Sequence, residues 1–421
     1  MKTLREPFGG SVATLGVQYE DAGRTYDYSK YLIREGNAIF NSLTSEVILL
    51  EDEKKDRNEL IRRWFLIPDG FDVMTASDMI RQSIIAKQKG PGSNLKSSYV
   101  IFTTTACNAS CSYCFEKGCD TLTMTDSVAE DVGKYIIKTH APKVRIKWFG
   151  GEPLVNKRAI DIISSKITDK VDFRSAMSTN GDLLGDCTDE DFKRWKLKSV
   201  QFTLDDIGSG YDRIKGLKDG AYSRLKETAS RLGELGIIMQ LRIHYNPDIG
   251  PEPCLKIVDE FKDFKNVRMY GRILYDKAII NDYKVLLRIE DEILKTGKGS
   301  LIIPKRASGN NCMGDNPQVA CITPEGKLSL CEHYASGEYM YGDIYTQNVD
   351  RKLRSNWSTK VKYQDSECKS CPLYPSCRKL VMCPAEGKCS DGYQYYQIET
   401  IKRALRKKVE EINGRDSNTN N

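Results

Sequence analysis

Stretches of strand-type and helix-type hydrophobic pattern alternate between residues 97 and 299. Short apolar runs rich in β-branched and aromatic residues predict strands, and runs with apolar residues every three or four positions predict helices between them. The predicted strands are Tyr99–Thr104, Val144–Phe149, Arg174–Ser178, Val200–Leu204, Ile238–Tyr245 and Val267–Ile273. The predicted helices are Thr125–Thr139, Lys157–Thr168, Ala221–Leu235, Leu255–Phe264 and Tyr283–Lys295. Such βα units predict an α/β fold with a parallel sheet, and about two hundred residues suit a partial (β/α)6 barrel better than a closed eight-fold one.

Two of these strands alternate strictly between apolar and polar residues. The apolar set is Met239, Leu241, Ile243, Tyr245, Val200, Phe202 and Leu204, and the polar set is Gln240, Arg242, His244, Gln201, Thr203 and Asp205. Helices cover the outer face of such a sheet, so we expect the apolar set to face outward and the polar set to line the barrel. Arg145, Lys147, Arg268 and Arg272 would make this lumen basic. A pairing shifted by one residue would reverse the two faces.

Turn-forming residues at 90–94 mark the first domain boundary. Residues 1–92 are expected to form a small α+β module, with strands at Ala13–Tyr19 and Val47–Leu50 and helices at Glu59–Phe65 and Ala76–Ile85. Residues 93–300 would form the barrel, 301–400 a cysteine-rich domain, and 401–421 a basic helix with a polar tail.

Composition narrows the class of protein. The net charge of +6 comes from 64 basic and 58 acidic residues spread along the chain, so it gives no indication of nucleic-acid binding. No apolar run approaches the roughly eighteen residues that span a bilayer, and the first twenty residues carry Arg5 and Glu6 where a signal peptide would need an apolar stretch. We therefore expect no membrane contact and a cytoplasmic location. Thiols stay reduced there, so clustered members of the 14 cysteines are expected to bind metal.

Cys107, Cys111 and Cys114 follow the first barrel strand, with three and then two residues between them. A cubic iron–sulfur cluster takes four ligands, so three cysteines leave one iron open for a substrate or cosubstrate. A zinc site with a fourth ligand elsewhere is the alternative. Two glycines and a glutamate, Gly150, Gly151 and Glu152, follow the second strand. Glycine allows close approach of the backbone, and a carboxylate can pair with a cation.

This cysteine loop and the Gly-Gly-Glu segment, in that order at strand ends, closely resemble those of the radical S-adenosylmethionine (SAM) enzymes. The resemblance implies one 4Fe-4S cluster on the three cysteines and a SAM molecule that yields a 5′-deoxyadenosyl radical. It implies that Glu152 beside Gly150 and Gly151 contacts the methionyl ammonium group and that Tyr113 contacts adenine. It further implies that Ser178 and Asn180 contact the ribose or carboxylate, and that Arg242 pairs with the methionyl carboxylate.

Eight further cysteines lie in the last third of the chain, enough for two four-ligand sites. Cys368-Lys-Ser-Cys371 with Cys377, and Gly326 with Cys331, resemble the SPASM extension, which carries two auxiliary 4Fe-4S clusters. The family's order implies Cys312, Cys321, Cys331 and Cys383 for the first cluster and Cys368, Cys371, Cys377 and Cys389 for the second. The spacing around Cys383 and Cys389 departs from the family pattern. A zinc ribbon is the alternative.

Two carboxylates are candidate bases. Glu332, next to Cys331, lies where sulfatase-maturing relatives place an acidic residue proposed as a base, and a carboxylate beside a cluster could accept the substrate proton. Asp205 follows the fourth barrel strand, where side chains face a barrel's active site. A purely structural acid is the alternative for Glu332.

The resemblance predicts a maturase of a ribosomally made precursor peptide that forms an intramolecular cross-link, for which we favour a thioether. The first ninety residues resemble leader-binding modules, which take an extended leader as an added strand; a lid or docking domain is the alternative. A flavodoxin or ferredoxin would donate the electron. The competing functions are a formylglycine-generating sulfatase maturase, a small-molecule enzyme, and a multi-cluster electron-transfer protein without SAM chemistry.

Overall fold

The structure, a computed structural model, describes residues 25–49, 57–72, 95–274, 279–301, 313–333, 339–346, 348–358, 365–377, 379, 383 and 389–418. The predicted strand Ala13–Tyr19, the predicted helix Ala76–Ile85, the turn-forming residues 90–94 and Cys312 lie outside the described residues. The chain divides into two compact units. One falls within residues 1–87, 301–312 and 359–421, and the other within 88–300 and 313–358. The predicted domain boundaries stay predictions.

The helices and strands are numbered in chain order. The strands are β1 Tyr26–Tyr28, β2 Leu32–Glu35, β3 Ala38–Asn41, β4 Glu46–Leu49, β5 Leu66–Pro68, β6 Lys96–Thr104, β7 His140–Gly150, β8 Phe173–Ser178, β9 Leu197–Leu204, β10 Ile238–Tyr245, β11 Val267–Ile273, β12 Val319–Ile322, β13 Lys327–Ser329 and β14 Met340–Asp343. The helices are α1 Arg57–Arg62, α2 Asp126–Thr139, α3 Lys157–Ile167, α4 Asp189–Arg194, α5 Gly208–Lys215, α6 Ala221–Glu234, α7 Glu252–Phe261, α8 Ile280–Lys295, α9 Arg351–Ser358, α10 Ser366–Ser370 and α11 Asp391–Asn418.

A nine-stranded sheet forms the centre of the barrel unit, in the order β11-β10-β9-β8-β7-β6-β12-β13-β14. Strands β6 to β11 are all parallel, and each predicted barrel strand is present. Within the described residues the sheet stays open, because β11 and β14 are its two edges. The predicted α/β fold class with a partial six-unit barrel is confirmed.

The two faces of β10 differ as predicted. Met239, Leu241 and Ile243 are fully buried, and α6 and α7 pack against this strand. Full burial of such side chains contributes roughly 1.5–3 kcal/mol each. Gln240 and Arg242, which point the other way, are half-buried. The helix-covered face is therefore apolar, and the polar side chains line the inside of the curved sheet.

Three short strands continue the sheet beyond β6. Strand β12 pairs parallel to β6, with Cys321 beside Val100, and then turns back antiparallel into β13. Gly326 in the turn has a φ of 78°, a conformation that favours glycine. A hairpin therefore lies between Cys321 and Cys331, and it brings a cysteine directly beside the first barrel strand.

The other unit joins the first part of the chain to the last. Strands β2, β3 and β4 form an antiparallel sheet, and the side chains of Ile33 and Phe40 from that sheet pack with Ile401 and Leu405 of α11. A second small core contains Tyr31, Leu43, Trp64 and Tyr374. The amino-terminal strands therefore share their core with the segment that follows the predicted Cys368-Lys-Ser-Cys371 motif.

Candidate active site

The three-cysteine loop begins directly after β6. Thr105 joins the two ends of this loop by two hydrogen bonds. The Thr105 backbone N–H donates to the Leu122 carbonyl at 2.8 Å, and the Thr105 hydroxyl donates to the Asp120 carbonyl at 2.7 Å. Cys107 and Cys114 are exposed and Cys111 is half-buried. Partial desolvation raises the pKa of Cys107 to about 11, whereas a bound metal would deprotonate the thiol. The loop presents three thiols at the carboxyl end of the strand.

Gly150 and Gly151 let the end of β7 lie against this loop. A Cβ at Gly150 would lie 2.0 Å from the Thr104 carbonyl oxygen, and one at Gly151 would lie 2.4 Å from that of Thr105. The backbone N–H of Gly151 donates to Thr104 at 3.1 Å. No larger residue fits without moving the cysteine loop, so the two glycines serve the close approach that was predicted for them.

Glu152 is completely buried. Its carboxylate accepts hydrogen bonds from the Thr179 hydroxyl at 2.9 and 3.0 Å, from the Asn180 backbone N–H at 2.8 Å and from the Leu154 backbone N–H at 3.2 Å. Burial raises the pKa of this carboxyl group to about 7, although the same hydrogen bonds favour the charged form. Glu152 therefore orients the turn after β8, and its contact with an ammonium group stays a prediction.

That turn brings Asn180 to the cysteine loop. Its side-chain amide donates to Asn108 Oδ1 at 2.8 Å and lies 3.9 Å from Cys107 Sγ. Ser178 ends β8, one residue before Thr179. Inside the barrel, the Nε of Arg242 is buried and has no hydrogen-bond partner among the described residues. A guanidinium with such an unused donor suits a ligand carboxylate. The three-cysteine loop therefore fits an iron–sulfur cluster held by cysteines, and Arg242 fits the carboxylate in the amino-acid part of SAM.

Asp205 is held by three donors. Tyr113 donates its hydroxyl to Oδ2 at 2.6 Å, Lys215 Nζ lies 2.7 Å from the same oxygen, and His244 Nδ1 lies 3.0 Å from Oδ1. Burial alone would raise the pKa of Asp205, but the hydrogen bond from His244 and the Lys215 cation lower it to about 2. Because both oxygens are occupied and the proton affinity is low, the geometry favours Asp205 as an anchor for Tyr113 over its predicted part as a base.

Glu332 has a different setting. It follows Cys331, and its Oε2 accepts a hydrogen bond from Lys147 at 3.0 Å, while about a third of each side chain is exposed. The neighbouring His333 ring packs on Phe115, the residue after Cys114, with ring centroids 4.3 Å apart. The structure therefore brings the hairpin end to the three-cysteine loop and leaves the Glu332 carboxylate accessible.

The other predicted cysteine ligands fall into two groups. In the barrel unit, Cys321 is buried and its Sγ lies 3.7 Å from the Cys331 carbonyl oxygen. In the other unit, burial is the largest cause of the raised pKa values of Cys368 and Cys389, and Asp365 adds to the rise at Cys368. The charges of Cys371 and Cys377 raise both pKa values further, so these four thiols lie near one another. Cys383 is half-buried. In the described part of the chain, no three His, Cys, Asp or Glu side chains converge as a single metal ion requires.

Sequence reasoning missed two residues of this site. Lys215 lies at the end of α5, a helix that was not predicted because only Tyr211 and Ile214 in it are apolar. The available signal was Gly216, which follows Lys215 with a φ of 61°, as glycine often does after the last residue of a helix. Thr179, which binds Glu152, had no distinguishing signal beyond its place between Ser178 and Asn180.

Comparisons with known proteins identify a superfamily and relatives with similar sequences. The model of the Radical SAM superfamily matches residues 101–261. The serine-type anaerobic sulfatase-maturating enzyme of Bacteroides thetaiotaomicron is 25% identical, with 69% of this chain and 86% of the relative covered. A GTP 3′,8-cyclase of Clostridium perfringens is 24% identical, with 60% of this chain and 86% of the relative covered.

Two solved structures show the same fold. Native anSMEcpe with bound AdoMet and Kp18Cys peptide has a TM-score of 0.56 and 17% identity, covering 75% of this chain and 99% of that chain. Streptococcus suis SuiB bound to precursor peptide SuiA has a TM-score of 0.51 and 15% identity, covering 84% and 95%. Within the described residues, this chain contains no helix with the length and apolar character needed to cross a membrane.

Proposed function

Since this chain belongs to the radical SAM superfamily, we propose that it is a cytoplasmic maturase that forms an intramolecular thioether in a ribosomally made precursor peptide. The observation that carries this proposal is the position of Glu332, whose accessible carboxylate lies beside an auxiliary cysteine and next to the three-cysteine loop. Two relatives of the same fold hold peptides in their structures. A peptide with a thiol near this loop would meet both a radical source and a base.

The residues present fit the groups that the superfamily implies. Cys107, Cys111 and Cys114 would hold the SAM-binding 4Fe-4S cluster, and the eight cysteines in the last third of the chain would hold two auxiliary clusters in the partition given above. When bound, SAM and its cluster would supply a 5′-deoxyadenosyl radical that removes one hydrogen atom, and a flavodoxin or ferredoxin would donate the electron that this requires. The auxiliary clusters would supply an acceptor for the surplus electron. Arg242, Asn180 and Tyr113 would position SAM, and Glu332 would take the thiol proton.

The balance of the reaction follows from these roles. A thioether replaces one S–H bond and one C–H bond by an S–C bond, so the peptide loses two hydrogens. One would leave as a hydrogen atom, and the other would leave as a proton that Glu332 accepts, while an auxiliary cluster would supply the acceptor for the surplus electron. Lys147 pairs with Glu332 at 3.0 Å and would keep the carboxylate oriented between proton transfers.

A leader segment would bind to the amino-terminal strands. Strands β2, β3 and β4 form a small antiparallel sheet, and the edge of such a sheet can accept an extended peptide as an added strand. That unit also contains Cys371, which packs against the core of Ile33 and Phe40, and Cys368, which packs against the core of Tyr31 and Tyr374. We propose that this unit recognises the leader.

Formylglycine formation on a sulfatase is the second candidate, favoured by the 25% identity to a sulfatase-maturating enzyme. Anaerobic incubation of reconstituted enzyme, SAM and reductant with a candidate peptide separates the two. A thioether product loses two hydrogens and its free thiol, and it does not react with hydroxylamine. A formylglycine product carries an aldehyde that hydroxylamine traps. Trapping of the aldehyde would replace the first proposal by the second.

A further inference from the structure

Lys215 is a buried cation beneath the three-cysteine loop. Its side chain is 4% exposed, and its Nζ contacts both Asp205 Oδ2, at 2.7 Å, and the Tyr113 hydroxyl. The ring of Tyr113 also lies under this ammonium group, with 5.1 Å from Nζ to the ring centroid. Burial of a cation costs free energy unless the cation is paired, so Lys215 and Asp205 depend on each other.

The backbone of Lys215 contacts the same loop at another point. Its carbonyl accepts a hydrogen bond from the Ser110 N–H at 2.7 Å. The next residue, Gly216, has a φ of 61°, and a Cβ there would lie 2.0 Å from Ser110 Oγ. The end of α5 therefore holds the loop at Ser110 and at Tyr113, on both sides of Cys111.

The other partner of Asp205 is His244, whose Nδ1 lies 3.0 Å from Oδ1. Burial lowers the pKa of His244, Asp205 raises it, and the charges of Arg242 and Lys215 lower it. Lys215 and Asp205 are thus opposed buried charges that both contact the hydroxyl of Tyr113, two residues after Cys111.

We propose that Lys215 is a positioning residue for the radical cluster, which clamps the loop on both sides of Cys111 and supplies a fixed positive charge that makes the bound cluster easier to reduce. Reduction adds negative charge to the cluster, and cluster potentials follow local charge and burial. A nearby cation stabilises the reduced form. This role concerns the SAM-binding cluster alone and holds for any substrate, so it stands apart from the outcome of the peptide assay.

The test is a redox titration of the reconstituted full chain at pH 8, followed by EPR. The signal that changes on addition of SAM reports the cluster with an open iron, and iron content is measured in parallel. K215M removes the charge and keeps an unbranched chain of similar length, K215R keeps the charge, and K218M removes an exposed lysine of the same segment as the control. We expect a more negative midpoint potential for K215M, or loss of the SAM-responsive signal, and wild-type behaviour for K215R and K218M.

A double variant separates charge from shape. K215M/D205N removes the cation and the anion together, so the midpoint potential should return toward the wild-type value, whereas a purely steric role would leave it displaced as in K215M. The proposal is overturned by a K215M protein with wild-type iron content and wild-type potential. It is equally overturned if K215R is displaced as far as K215M, or if the double variant shows no return.

Discussion

Lys147 Nζ lies 3.0 Å from Glu332 Oε2, although the two residues are 185 positions apart in the chain. The pair links a barrel strand, β7, to the residue that follows Cys331. Because each side chain is about one-third exposed, solvent screens the pair and it adds little to stability. Its role is positional, since it orients an accessible carboxylate whose neighbour, His333, packs on the residue after Cys114.

Replacement of Glu332 by glutamine should uncouple radical generation from product formation. E332Q keeps the shape and loses the base, so we expect deoxyadenosine formation to continue while peptide product falls by about 100-fold or more. E325Q, at an exposed position in the β12–β13 turn, is the matched control and should behave as wild type. Mass spectrometry of the peptide with parallel chromatography of deoxyadenosine measures both. An unchanged product yield in E332Q removes Glu332 from the mechanism.

Gly151 should be intolerant of a methyl group. Its φ is not left-handed, so alanine is opposed only by contact, with Cβ 2.4 Å from the Thr105 carbonyl oxygen and 2.5 Å from that of Ala106. We expect G151A to lose iron from the three-cysteine site and about 1–3 kcal/mol of stability. G185A is the control, because its Cβ would meet nothing closer than Thr228 Oγ1 at 3.6 Å. Full iron content in G151A would show that the loop is not held by this contact.

Glu152 should make stability depend on pH. Its pKa in the folded protein is about 7, raised from 4.5 chiefly by burial. The folded state therefore binds this proton more tightly than the unfolded state does. The stabilisation of the fold by the bound proton is complete below pH 4.5 and is lost as the pH rises to 7. The loss amounts to about 3 kcal/mol.

The measurement is chemical denaturation of wild type and E152Q between pH 4.5 and 7.5. The difference in the free energy of unfolding should change across this range, because glutamine does not titrate. E190Q, at an exposed helix position, should track the wild type. A wild-type minus E152Q difference that is constant with pH contradicts the prediction.

The second auxiliary site should stabilise the amino-terminal strands. Cys371 packs against the core that contains Phe40 and Leu405, and Cys368 packs against Tyr374. Metal binding to such residues couples to folding. In C368S/C371S we expect faster amide exchange in β3 than in wild type, with exchange in β10 of the barrel unit unchanged. Equal protection of β3 in both proteins would show that this unit folds independently of the site.

The local sequence pattern was sufficient to predict the strands of the barrel but not the short strands outside it. Strands β10 and β11 have the predicted bounds because apolar residues stand at alternate positions along both, interrupted only by Gly271. The short strands β2 and β3 were missed, since four residues give too little periodicity. A usable signal existed in Gly36, whose φ of 55° forms the turn between them.

Only those residues of the candidate site that belong to a distinctive sequence motif could be predicted. The three cysteines and Gly150 to Glu152 were found because their spacing is distinctive. The contacts that complete the site join distant parts of the chain, such as Lys147 with Glu332 and Tyr113 with Asp205. Such pairs depend on how helices and strands pack, which no local pattern contains.

The central claim is that Cys107, Cys111 and Cys114 hold a cluster whose open iron binds SAM. The most direct measurement is deoxyadenosine formation by anaerobically reconstituted protein after reduction in the presence of SAM, compared with a C107A/C111A/C114A variant that keeps the other cysteines. We predict deoxyadenosine from the wild type and none from the variant. The same amount from both proteins, or none from a wild-type protein with a full iron content, would contradict the account.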